Sequence, residues 1–305
     1  ATSTGGTSAG SSTIASTGKT STTNTTSTNG TTTTTAPQVL HFRDPVFEKL
    51  LKAALNKDSI YPDDLSTYTR MLIGGDHFIE LMDPTTPEKN LVLLFGTDIE
   101  YDGQRYAGFG TMKSLADLTN FNKLIDLTIT LQPNIDYATL PQDILSQLKL
   151  ISISQSQTKD IGFLAVATSM IRLSLSFGDV RDLTPLKNCK ELVYLYGSHN
   201  PIEDLSPLSD LPKLKSLSFS EANIRDLTPL ATISTLESIG FYASKIEDLS
   251  PLAGLKNLKE LSLIDNNIKD VSPLKGFLQF ETLNLSGNPI ENIEVLDHIK
   301  NLKFK

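Results

Sequence analysis

Four histidines (His41, His77, His199 and His298) and one cysteine, Cys189, are the side chains best suited to proton transfer, metal binding or nucleophilic attack. They are scattered along the chain, with no H-E-x-x-H, no G-x-S-x-G and no phosphate loop. Asp76 precedes His77 directly, but neighbours on a strand face opposite ways, which denies the two a shared site. His199 follows a strand-like segment and has two readings, a surface contact or an ordinary rim residue. An aspartate recurs at 182, 204, 226, 248 and 270. Stacked about 4.8 Å apart, such carboxylates would form a column, yet no second acidic ligand recurs beside them. Hydrogen bonding to the amides of each residue's own turn is the expected role. Neither catalysis, a metal nor a cofactor is expected from these residues.

What must position them is a repeat. Asp-Leu-Thr-Pro-Leu begins at Asp182 and returns, with Ser or Thr third and once with Val second, at Asp204, Asp226, Asp248 and Asp270. Every step is 22 residues. Between these segments runs L-x-x-L-x-L-x-x-N-x-I, as in Leu258, Leu261, Leu263, Asn266 and Ile268. The same frame extends upstream through Met170, Leu148 and Leu124, with one 24-residue step near Leu140-Pro141. Met71, Ile73 and Phe78 form a degenerate first copy, and Ile290 to Leu302 a last one.

L-x-L alternation predicts a short strand with its leucines inward, and Ser or Thr before Pro predicts an N-capped 3-10 turn on the far side. One unit cannot bury its apolar edge alone, so the units must stack as a solenoid with a concave parallel sheet. The expected class is α/β: a leucine-rich-repeat solenoid with a 3-10 or short-helix convex side and a helical N-terminal cap. Cys189 occupies the place of Leu211, Ile233, Leu255 and Phe277, which predicts a buried filler. The cap helix is predicted from Phe47, Leu50, Leu51, Ala54 and Leu55 on one face, with Asp44 as N-cap and Pro45 in the first turn.

The 22-residue unit with I-x-D-L-[ST]-P-L resembles the leucine-rich repeats of bacterial internalins, and residues 41–50 resemble the cap that precedes repeats in those proteins. The resemblance covers residues 39–305. It departs at an insertion over 82–110, and neither an immunoglobulin-like domain nor a wall-sorting signal follows the repeats. It implies an exported or cell-surface module, extracellular, that binds a protein or glycan. An intracellular scaffold of the phosphatase-regulator type, which shares the repeat length, is the alternative. A catalytic domain outside this sequence stays open as a third reading.

Composition sharpens the partition. Residues 1–35 hold 16 Thr, 7 Ser and 5 Gly, too little apolar surface to offset the entropy of ordering. The expected domains are a disordered linker over 1–36, the cap and degenerate first repeat over 37–81, an inserted β-hairpin over 82–110, and repeats over 111–305. In the insertion, Leu91–Phe95 is an apolar run, Tyr101-Asp102-Gly103-Gln104 reads as a hairpin turn, and residues 105–109 as its return strand. That hairpin is either a binding protrusion or a structural patch. With 27 basic against 35 acidic residues, the net charge of −8 argues against a nucleic-acid partner. No run of 18 apolar residues predicts a membrane span. No basic-then-apolar leader opens the chain, so an export signal is expected to have been removed, and a lipid or surface anchor ahead of Ala1 stays open.

The concave face is the candidate binding site. The residues before, between and after each L-x-L pair over eight strands give 24 positions. Eleven are Ser and three Thr, and only Asp126, Arg172 and Glu260 are charged. On that low-charge floor stand Tyr194, Tyr196, Tyr242 and Ile264, with Phe177 and His199 at the rim. Aromatic anchors in such a setting are how interfaces concentrate energy; stiffening by cross-strand packing is the competing explanation.

Overall fold

The computed structural model describes residues 38–86, 93–95, 98–278, 280–299 and 302–303, with 93–95 and 302–303 described by backbone alone. The linker expected over 1–36 lies outside these residues.

The chain enters through α1 (Pro45–Leu55), whose start follows the predicted chemistry. Asp44 is the N-cap, and its Oδ1 accepts from the amides of Val46 at 2.9 Å and Phe47 at 3.1 Å. Phe47, Leu50 and Leu51 are buried on one side. The cap is tied down by two buried aspartates. The Oδ2 of Asp44 accepts from the amides of Lys113 and Ser114, and the Asp117 carboxylate accepts from those of Arg43 and Asp44. After the one-turn helix α2 (Pro62–Leu65) come β1 (Arg70–Gly74) and β2 (Phe78–Met82). Met71 and Ile73 pair parallel to the first full repeat, as a degenerate copy should, but Phe78 opens an antiparallel strand instead. Asp76 and His77 lie in the turn between these strands rather than on one.

The insertion is a three-stranded antiparallel meander: β3 (Leu93–Phe95), β4 (Asp98–Tyr101) and β5 (Gln104–Ala107). Asp102 and Gly103, both at positive φ, make the two-residue turn that was predicted. Its partner strand is β4, immediately ahead of the turn; the apolar run supplies the third strand. The return strand ends at Ala107 because Gly108 leaves at φ 91°. The Phe78 ring stacks on Tyr101 at 4.9 Å and meets Tyr106 at 5.0 Å, holding the meander against the start of β2.

From there the repeats run β6 (Asp126–Thr130), β7 (Leu150–Ser154), β8 (Arg172–Ser176), β9 (Tyr194–Tyr196), β10 (Ser216–Ser220), β11 (Ser238–Tyr242), β12 (Glu260–Ser262), β13 (Thr282–Asn284) and β14 (Leu302–Lys303). They pair parallel in chain order, with β1 beside β6 and β2 outermost. Leu127, Ile151, Leu173, Leu195, Leu217, Ile239, Leu261 and Leu283 are in register across the sheet and all buried. The 24-residue step houses a short α-helix, α3 (Gln142–Gln147), where other units have 3-10 turns. Cys189 is fully buried, and burial pushes its thiol up to about 11, the state of an inert filler.

The turn chemistry differs from expectation in one respect. Ser and Thr are the first residues of each 3-10 turn, not its cap. The aspartate two residues ahead takes that role. Asp182, Asp204, Asp226, Asp248 and Asp270 each accept from the amide two residues on, at 2.7 to 2.8 Å. Asp136 and Asp160 do the same in less regular units.

Candidate concave binding face

Two concave columns follow from the register. Arg70, Asp126, Leu150, Arg172, Tyr194, Ser216, Ser238, Glu260 and Thr282 succeed one another across the sheet. Two residues along each strand, Tyr196, Ser218, Gly240, Ser262 and Asn284 form the second. The first column has a sense of charge. Arg70 is next to Asp126 and Arg172 stands beyond Leu150 on its other side; the Asp126 carboxyl is pushed up to about 6 by burial, against the pull of the two arginines. Arg172 lies 4.9 Å from the centre of the Tyr194 ring, a cation–π arrangement.

The six candidate residues fall into three groups. Tyr194 and Tyr196 stack at 6.5 Å on β9. Phe177 and His199 stack at 4.1 Å on the rim, where His199 Nδ1 also meets Glu221 Oε2 at 2.9 Å. Tyr242, 42% exposed, and half-buried Ile264 succeed each other beyond the second column, the Ala243 amide donating to the Ile264 carbonyl. Tyr196 leans toward the first column: its hydroxyl lies 3.4 Å from Ser216 Oγ on the neighbouring strand.

This inclination opens a groove that the sequence did not announce. Two adjoining hollows of about 340 and 390 Å³ share Tyr196, Ser216, Ser238 and Glu260. Ser238 Oγ donates to Glu260 Oε2 at 2.8 Å, so that carboxylate leans inward from the far wall. Along the edge where the chain enters the strands, Lys215, Glu237, Lys259 and Glu281 succeed each other at 22-residue steps. Glu237 pairs with Lys215 at 2.7 Å and Lys259 at 2.8 Å, and these lysines pull its carboxyl down to about 2. The 22-residue period carried this ladder in plain view. The inward lean of Tyr196 and Glu260 depends on rotamers, and no sequence signal marks it.

The rim residues share a backbone signature. Leu131, Gln155, Phe177, His199, Glu221, Ala243 and Asp265 all sit at φ between 48° and 59°. The amide of each donates to a carbonyl of the next coil, at 2.8 to 3.2 Å. The remaining histidines stay apart. His77 Nε2 is 3.0 Å from the Ala107 carbonyl, and His298 Nε2 2.8 Å from that of Phe277. No helix among the described residues is long and apolar enough to cross a membrane.

No family model matches the chain, and no curated protein is significantly similar to it in sequence. Solved structures are. Internalin C2 from Listeria monocytogenes is 27% identical, with a TM-score of 0.55 over 87% of this chain and 94% of that one. A second Listeria monocytogenes internalin, InlF, is 25% identical, with a TM-score of 0.56 over 86% and 84%. With the 22-residue unit, the capped first coil and the parallel concave sheet, these likenesses show a leucine-rich-repeat solenoid of the internalin type.

Proposed function

We propose that the chain is an exported or cell-surface binding module, without catalytic activity of its own, that recognises a protein through its concave face. The observation that carries this reading is the groove beside stacked Tyr194 and Tyr196, floored by small polar residues on a sheet poor in charge. A sheet serving only to close the core has no need to keep aromatic rings on its open side, whereas interfaces place their anchors in such surroundings. The hydroxyl-rich stretch over 1–35 fits a tether holding the module away from a surface.

The test has two arms. Fractionation of the source cells should place the protein in the surface or medium fraction. In parallel, the full chain is screened against an array of purified extracellular protein domains. Tyr194→Ala/Tyr196→Ala/Tyr242→Ala should weaken the hits about tenfold, near 1.4 kcal/mol, with the melting temperature nearly unchanged. A cytosolic location would overturn the first half of the proposal, and hits indifferent to the folded triple variant the second.

A further inference from the structure

Resting on the concave-face reading, we infer that the groove between Tyr196 and Glu260 is a seat for an arginine side chain of the protein ligand. Three observations converge on this chemistry. The first is shape. Tyr196 leans over Ser216 and Glu260 leans back over Ser238, so an aromatic wall and a carboxylate wall face each other across β10 and β11. Tyr196 on β9 and Glu260 on β12 stand three strand spacings apart, roughly 14 Å, and the lean of both side chains narrows the opening between them. Gly240 and the serines keep the floor low beneath it.

The second is charge. The groove and its edge carry Lys215 and Lys259 against Glu237, Glu260 and Glu281, an excess of one negative charge. Both lysines are engaged by Glu237. Glu260 uses one oxygen toward Ser238 Oγ, and its side of the groove is where an incoming cation is favoured.

The third is a template in the adjoining column. One strand back, Arg172 already lies over Tyr194 at 4.9 Å. The protein's own guanidinium thus occupies the first tyrosine face, and the second tyrosine offers a similar face to a guanidinium from outside. A guanidinium stacks on the ring and reaches the carboxylate in its own plane, which a lysine ammonium does less well.

The test uses a displayed library of random dodecapeptides selected on the immobilised full chain. Selected peptides should be rich in arginine relative to the input. Glu260→Gln should weaken their binding about tenfold while leaving the melting temperature unchanged, because Glu260 is exposed. Tyr196→Leu, which keeps bulk but removes the π face, should weaken binding comparably. Replacing the peptide arginine by lysine should cost about threefold, and by glutamine about tenfold. A library without binders, binders no richer in arginine than the input, or binders indifferent to Glu260→Gln would overturn the arginine seat. If such binders still respond to Tyr196→Leu, the concave-face reading survives. If they ignore Tyr194, Tyr196 and Tyr242 alike, both readings fall.

Discussion

Asn266 shows how much one side chain does in a stacked coil. Its Oδ1 accepts from the Ile246 amide, and its Nδ2 donates to the carbonyls of Phe241 and half-buried Ile264, with Asn266 itself buried. Asn266→Ala leaves those backbone groups to find other partners, and buried orphans cost roughly 1–3 kcal/mol each. Urea denaturation should register a loss of about 2–4 kcal/mol. Ionisable groups add a pH signature with two limbs of opposite sign. Asp182, Asp226 and Asp270 have carboxyls held below the usual range by hydrogen bonds from Thr184, Thr228 and Ser272. Their stabilisation is full above about pH 4 and is lost as pH falls through the lowered folded values. Asp126 runs the other way, because burial raises its carboxyl to about 6. Its neutral form is favoured in the fold, so stability rises as pH drops through about 6 toward the unfolded value near 4. Melting temperature plotted against pH should therefore peak between about pH 4 and 5, where the two windows meet. Asp126→Asn should flatten the neutral limb, and alanine at the three cap aspartates the acid limb. A curve that falls steadily from pH 7 would contradict the assignment of Asp126.

At the scale of elements, the capped helix and the inserted meander can be tested separately. Asp44 caps α1 with one oxygen and receives the Lys113 and Ser114 amides with the other. Asp44→Asn keeps an acceptor but removes charge and one acceptor oxygen, whereas Asp44→Ala removes all four hydrogen bonds. A loss of about 2–4 kcal/mol is expected for alanine and less for asparagine; equal losses would show that charge alone holds the cap. Gly103, at φ 73° in the turn between β4 and β5, is a local feature. Gly103→Val should strain that turn by about 1–2 kcal/mol and hasten proteolysis within 98–107, while cleavage elsewhere is unchanged.

These two elements also mark what was legible in the sequence. Asp44-Pro45 and Asp102-Gly103 are local signals, and both were readable. The link between Asp44 and Asp117 spans 73 residues and has no pattern of its own. Gly197 is a similar case. It stands where neighbouring coils carry an inward leucine or phenylalanine, and the Phe219 ring fills its space, since a Cβ there would meet ring atoms at 2.5 Å. The left-handed rim went unread because residues such as Phe177 and His199 carry no glycine signal there. The 22-residue step located the six candidate residues; only the structure separated them into three groups and disclosed the groove.

For the whole molecule, a linear stack makes stability depend on position. Each coil of the described array touches only its neighbours along the sheet order, so a middle coil has two stacking faces and an end coil one. Leu217 is fully buried, in register between Leu195 and Ile239. Leu296 is equally buried, but its coil is the last described, and there Ile293 is already 37% exposed, where its counterpart Val271 is buried. Leu217→Ala removes contacts to coils on both sides and leaves a cavity that packed neighbours cannot close; the expected cost is roughly 2–5 kcal/mol. Leu296→Ala leaves a void that the end coil can relax into, so the loss should be smaller, by about half. The distinction also has a kinetic form. Loosening the end coil should raise hydrogen exchange locally over 282–299, while loosening β10 should raise it on both sides, because the break interrupts propagation along the stack. Since Ser216 and Ser218 of β10 floor the groove, Leu217→Ala should also weaken any ligand of that face, and Leu296→Ala should not. Equal stability losses with equal loss of binding would mean the solenoid unfolds as one unit, with no positional gradient for the binding face to inherit.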